Sequence, residues 1–141
     1  MNYLLDTCVL SEARKRNADP GVVNWLSQAS ESRLYLSVIV LGEIQKGIAA
    51  LNDKKRQQQL QTWLEDRLQA RFAGRILGVD LDVALEWGIL QGEAQKQGAP
   101  VPVIDSLIAA TAVRHNLTLV TRNVRDFERF PIRVLNPWNG G

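Results

Sequence analysis

Apolar positions along the chain change their period repeatedly, and the changes mark alternating strands and helices. Residues 2–5 form a short apolar run with an aromatic, closed by Asp6-Thr7, which reads as a buried first strand with a polar group at its carboxyl end. A short helix is expected over 9–15. Asp19-Pro20-Gly21, a turn or N-cap with Pro at the first helical position, then opens a helix through Val22, Val23, Trp25 and Leu26. Residues 33–36 are strand-like, and Ser37 can cap a helix on which Ile39, Val40, Leu41, Ile44, Ile48 and Leu51 recur at helical spacing. Asn52-Asp53 breaks that pattern, and a polar amphipathic helix is predicted over about 54–70, with Leu60, Trp63, Leu64 and Leu68 as its buried stripe. A third strand is read over 75–79, then a helix over 81–97 with Ala84, Trp87, Leu90 and Ala94 broadly on one side, ended by Gly98-Ala99-Pro100.

Pro102 fits the first turn of the next helix, 103–115, which is apolar almost all round and so should be central; Asn116 can stop it in a left-handed cap. Residues 117–120 form a fourth strand, 121–126 a polar loop and 132–135 a last short strand, and the Asn136-Pro137-Trp138 tail is expected to pack by Trp138. Strands alternating with helices throughout predict an α/β sandwich with a mostly parallel central sheet of about four to five strands.

Composition narrows the field. A length of 141 residues favours a single domain over 1–141, and 45% hydrophobic against 23% charged residues is ordinary globular usage. The longest apolar run, 34–41, is interrupted by Ser37 and falls far short of the roughly 20 residues that span a bilayer. Asp6 arrives before any apolar signal segment can form, so the expected location is cytoplasmic, with no membrane partner. One Cys (Cys8) and one His (His115) exclude an intrachain disulfide and a zinc site built from several Cys or His ligands. Any metal site must therefore be made of oxygen. A Ser/His/Asp or Cys/His nucleophile would have to recruit His115, which stands where a helix ends. The formal charge of +2 permits a polyanionic partner without demanding one.

In a parallel α/β sheet the ligand crevice lies outside the carboxyl ends of the strands. Asp6-Thr7 follows the first strand and Thr121-Arg122-Asn123 the fourth. Asp6 alone serves equally well as the N-cap of the next helix. Asp105 is harder to place, because its neighbours Val103, Ile104, Leu107, Ile108, Ala109 and Ala110 are apolar. A lone buried carboxylate costs roughly several kcal/mol or becomes neutral unless something compensates it. The helix dipole supplies about 0.3–1 kcal/mol of that compensation, and a metal explains the remainder better. Glu43, with Gly42 beside it and Gly47 one turn on, reads when taken alone as an exposed Glu paired to Lys46. In company it makes a third carboxylate, and three carboxylates without His or Cys are ligands for Mg2+ or Mn2+. Such an ion suits phosphate esters. Asn123 and Asp126 can add a fourth oxygen, while Thr7 and Thr121 can orient the carboxylates from behind.

Four motifs carry a resemblance: Leu5-Asp6-Thr7-Cys8-Val9-Leu10-Ser11-Glu12; Gly42-Glu43-Ile44 with Lys46-Gly47-Ile48; Ile104-Asp105-Ser106-Leu107-Ile108-Ala109; and Leu119-Val120-Thr121-Arg122-Asn123-Val124-Arg125-Asp126-Phe127. In this order the chain resembles the PIN-domain ribonucleases, specifically the VapC toxins, and Asn136-Pro137-Trp138 is similar to the ending of the FitB-like branch. The resemblance covers essentially the whole chain. It implies a PIN-like α/β/α sandwich and the toxin of a type II toxin-antitoxin system. The activity implied is that of a Mg2+- or Mn2+-dependent endoribonuclease, a hydrolase acting on tRNA or another structured RNA. Asp6, Glu43 and Asp105 would be its metal and catalytic acids.

Asn123 takes the place of a more variable fourth catalytic member that is Asp in some relatives, so the site carries one charge fewer there; Asn123 and Asp126 are both candidates for completing it. Cys8 stands where Asn usually follows Asp-Thr, and reads as a small buried residue rather than a ligand. The implied partners are RNA, a cognate VapB/FitA-like antitoxin that occludes the site with a C-terminal segment, a second copy in a homodimer, and DNA reached through the antitoxin. Arg14, Lys15, Arg16, Lys54, Lys55, Arg56, Arg122 and Arg125 are candidates for contacts to the RNA backbone. The alternative is a catalytically weak or inactive module that acts by binding RNA or an antitoxin. An aspartyl-phosphate phosphatase starting at Asp6 would need a second acid two residues on, where Cys8 stands.

Overall fold

A computed structural model describes residues 1–138. Its five strands, β1 (Asn2–Leu5), β2 (Leu34–Ser37), β3 (Ile76–Leu77), β4 (Leu117–Val120) and β5 (Val134–Leu135), form one sheet in the order β3-β2-β1-β4-β5. Every pairing is parallel: Leu4 lies opposite Tyr35 and Leu119, Leu36 opposite Ile76, and Leu119 opposite Val134. All carboxyl ends therefore share one edge. The central strands are apolar on both faces because helices flank the sheet, and Leu4, Leu5, Leu34, Leu36, Leu119 and Val120 are wholly buried.

The helices start where their caps allow. Asp6 precedes α1 (Thr7–Arg14), and Asp19 accepts from the amides of Gly21 and Val22 at the head of α2 (Pro20–Gln28). Ser37 Oγ accepts from the Ile39 amide at 3.0 Å to open α3 (Val38–Ala49). Asp53 caps α4 (Lys54–Thr62), and Asp80 caps α6 (Leu81–Lys96). Asn116, at φ 53° and ψ 52°, ends α7 (Val103–His115) in the left-handed region. Trp138 is buried, as its place in the tail predicts.

Several boundaries differ from the periodicity. The 54–70 helix divides into α4, a π turn over Trp63–Leu68 and α5 (Gln69–Arg71); the wider turn keeps Leu64 and Leu68 both in the core. The third strand is two residues rather than five, since Gly78 and exposed Val79 lie past its last pairing with Ser37. The last strand is likewise Val134–Leu135. On α6 the buried stripe runs through Val83, Trp87, Leu90 and Ala94, and Ala84 is exposed. Pro102 is the N-cap of α7 rather than part of its first turn, and Val103 and Ile104 remain exposed, so α7 is central only from Ser106 to Ala112. Within the predicted 121–126 loop a short helix, α8 (Val124–Phe127), forms because Phe127 turns into the core. Among the described residues no helix is long and apolar enough to cross a membrane.

Candidate active site

Strand order reverses around β1 and β4, and the residues that follow these two strands lie side by side. The Asp6 amide continues the ladder by donating to the Val120 carbonyl at 3.0 Å. This sets the Asp6 side chain against Thr121. Thr121, completely buried, donates its hydroxyl to Asp6 Oδ2 at 2.8 Å, and Asp6 Oδ1 accepts from the Thr7 amide at 2.8 Å. Asp6 is thus both an N-cap and a carboxylate held on both oxygens, with only 6% of its surface exposed. The Thr121 hydroxyl also accepts from the Asn123 amide at 3.0 Å, so one side chain ties β1 to the start of α8.

Thr7 makes the second link. Its hydroxyl donates to Glu43 Oε1 at 3.1 Å, joining α1 to α3. Burial raises the Glu43 carboxyl above its ordinary pKa against the Thr7 hydrogen bond, and the charges of Asp6 and Asp105 push the same way. Asp105, in the first turn of α7, is raised by burial and then by the charges of Asp126 and Asp6. Glu43 therefore feels the charges of Asp6 and Asp105, and Asp105 those of Asp126 and Asp6. None of them is in an ion pair: the salt bridges among the described residues join Lys15 to Glu12, Arg71 and Arg75 to Glu31, Lys96 to Glu93, and Arg114 to Asp82. Lys46 offsets the Glu43 charge only weakly, without the ion pair that Glu43 taken alone suggests.

Cys8 occupies the junction. Its thiol points at Asp6 Oδ2 at 3.8 Å, lies 3.5 Å from Thr121 Oγ1, and accepts from the Arg122 amide at 3.5 Å, while burial pushes its pKa up. A raised pKa leaves it a neutral filler rather than a nucleophile. Asn123 is exposed at the head of α8, and its side chain makes no hydrogen bond among the described residues. Arg122 turns away and lies over the Trp138 ring, 5.5 Å from its centroid; Arg125 is exposed on α8. Thr121, expected to orient a carboxylate from behind, does so on Asp6 across 115 positions; the signal for that particular pairing is the adjacency of two strand ends in a parallel sheet.

Among the described residues no three His, Cys, Asp or Glu side chains form a ready-made cage for one ion. The donor chemistry nevertheless suits a hard divalent cation: the site is all oxygen, partly buried, uncompensated and carries raised carboxyl pKa values. An ion that retains several of its own waters does not require every acid to touch it.

A parallel α/β sheet with an acidic cluster where its strand order reverses defines a class of protein suited to metal-assisted chemistry on an anionic substrate. The family described as PIN domain matches residues 3–132. The chain is 36% identical over 135 residues to VapC ribonuclease Y4jK of Sinorhizobium fredii, covering 96% of each, and 37% identical over 136 residues to toxin FitB of Neisseria gonorrhoeae, covering 96% of this chain and 98% of that one. A crystal structure of FitAcB from Neisseria gonorrhoeae superposes with a TM-score of 0.89 at 37% identity, over 96% of this chain and 98% of the other. The chain belongs to the PIN-domain family, in its VapC/FitB toxin branch.

Proposed function

We propose that the protein is the toxin of a VapBC-type toxin-antitoxin pair and an endoribonuclease that hydrolyses phosphodiester bonds in tRNA or another structured RNA with the help of Mg2+ or Mn2+. The observation that carries this reading is the gathering of Asp6, Glu43 and Asp105 from three separate segments, the first two bridged by Thr7 and none of them in an ion pair. Asp6 and Asp105 would hold the ion, with Glu43 completing the acidic set. Thr121 and Thr7 fix the orientation of Asp6 and Glu43. When bound, the ion supplies charge neutralisation and polarisation of the phosphoryl group. Asn123 adds a neutral amide at the rim and Asp126 a further negative charge beside Asp105. A cognate VapB/FitA-like antitoxin would block this edge and carry the pair to DNA, in the cytoplasm. A second copy of the chain would cover the exposed apolar stripe Leu81, Leu85 and Ile89 on α6.

The test is cleavage of a total tRNA pool by the purified chain with Mg2+, with Mn2+ and with EDTA, beside Asp6→Asn and Asp105→Asn. Discrete fragments that need the ion and vanish in both variants are expected. Equal traces of cleavage in wild type and variants, or none while RNA is still bound, would overturn the hydrolase in favour of a binding module.

A further inference from the structure

A second feature of the surface is a groove between α1 and the α4–π segment, lined by Arg14, Lys55, Gln58, Gln59, Trp63 and Arg67 among others, with no carboxylate in its walls. The guanidinium of Arg14 lies over the Trp63 ring, 4.7 Å from its centroid. Burial, followed by the nearby charge of Arg56, works against the Arg14 proton, so these cations repel one another where the fold holds them. Lys15, Arg71, Arg75, Lys96 and Arg114 each face a carboxylate. Arg14, Lys55, Arg56 and Arg67 have no such partner among the described residues. Three cations without an ion pair, Arg14, Lys55 and Arg67, thus line one groove that has no carboxylate in its walls, with the charge of Arg56 close to Arg14. Concentrated like charge of this kind is stabilised by a polyanion.

We infer that this groove is a track for the phosphate backbone of single-stranded RNA, contacting nucleotides a few positions from the bond that is cut; the inference rests on the ribonuclease reading above. Arg14 lies eight residues beyond Asp6 along α1, a rise of about 12 Å. That distance corresponds to about three to four nucleotides of stacked strand. The row of cations matches a ligand with a charge on every residue, and the Gln58 and Gln59 amides offer donors to phosphate or ribose oxygens. The groove makes no contact with the acids, so it supplies affinity and register rather than chemistry.

The experiment uses the full chain carrying Asp6→Asn, so that bound RNA is not turned over, and a labelled single-stranded RNA of about 20 nucleotides. Binding is followed from about 50 to about 200 mM salt with Lys55→Gln/Arg67→Gln, and with Arg33→Gln/Arg133→Gln, exposed at the opposite edge of the sheet, as a control pair. Both groove side chains are exposed, so unchanged melting is expected of the double variant. Losing two phosphate contacts should lower the slope of log affinity against log salt by about 1.4 and weaken binding about 25-fold near 0.1 M salt. Lys55→Arg/Arg67→Lys should keep the wild-type slope. An unchanged slope in the groove variant, or an equal fall in the control pair, would overturn the inference. So would unaltered RNA binding alongside lost binding of a poly-glutamate peptide, which would make the groove a protein-docking site. If the wild-type chain fails to cut RNA while the groove variant still loses binding, the hydrolase reading falls, and with it the register to a cut bond, while RNA binding by the groove stands.

Discussion

Replacing Thr121 by Val isolates one hydrogen bond on which the acidic site depends. The two side chains are nearly the same size and Thr121 is fully buried, so the change opens no cavity and removes only the hydroxyl. Asp6 keeps its bond from the Thr7 amide and loses the 2.8 Å bond on Oδ2. A hydrogen bond to a charged acceptor contributes about 1.5–3 kcal/mol, and Asp6 is too buried for water to replace it freely. The Asn123 amide also loses its acceptor, at an exposed position that water can serve. A loss of about 2 kcal/mol follows, which lowers the melting temperature of a domain of this size by about 6 °C. With its second anchor gone, Asp6 should also lose position, and metal-dependent cleavage should fall about 10–100-fold. Thr121→Ser, which keeps the hydroxyl, should recover most of both. Thermal melting and tRNA cleavage of the three proteins are the assays. Thr121→Val melting within about 1 °C of wild type and cutting at the wild-type rate would refute the claim that this bond supports the site.

Glu43 and Asp105 bind protons more tightly in the folded than in the unfolded chain, so their contribution to the metal-free fold is most favourable at acid pH. It is lost as pH rises from the ordinary carboxylate range through their raised values. Melting in EDTA should accordingly show Glu43→Gln more stable than wild type at neutral pH, with the difference closing on acidification. Added Mg2+ or Mn2+ should stabilise wild type, by about 2.7 kcal/mol at a hundredfold excess over its dissociation constant, and leave Asp6→Asn/Asp105→Asn unmoved in the same calorimetric scan. Asn123→Asp adds a carboxylate at the site's rim, and titration calorimetry should show tighter ion binding, about tenfold or less for an exposed position. Light scattering should find Leu85→Asp, on the exposed face of α6, as a monomer with the fold intact.

The sheet's centre was legible because β1, β2 and β4 are short apolar runs bounded by polar residues, and α3 and α7 carry their own caps in Ser37 and Asn116. The edge strands β3 and β5 were legible in place but not in extent, because their two-residue limits are set by pairing with β2 and β4, far away in sequence. The face of α6 was ambiguous for a related reason: Leu81, Leu85 and Ile89 form a second apolar stripe that stays outside, so hydrophobicity alone cannot choose between the two. At the site, Asp105 announced itself by the cost of burying a carboxylate among apolar neighbours, whereas Asp6, equally readable as an N-cap, was marked only by its place after the first strand. Glu43 stood out only through its companions. The pairing of Thr121 with Asp6 has no local trace, and neither has the packing of Arg122 over Trp138.

Charge is what connects the two surfaces. The acids around Asp105 repel a polyanion, as their raised pKa values already register among themselves, so RNA cannot approach that edge on favourable local terms without a cation. The unpaired Arg14, Lys55 and Arg67 attract the same polyanion along a groove that begins, at Arg14, about 12 Å along α1 from Asp6. That separation exceeds the screening length of about 10 Å at 0.1 M salt, so the two effects act almost independently. Salt should therefore weaken substrate capture through the groove and appear in KM, whereas removal of the divalent ion should act at the acids and appear in kcat. A chain that balanced its charges everywhere would couple the two, and a salt series run at saturating ion tells these cases apart.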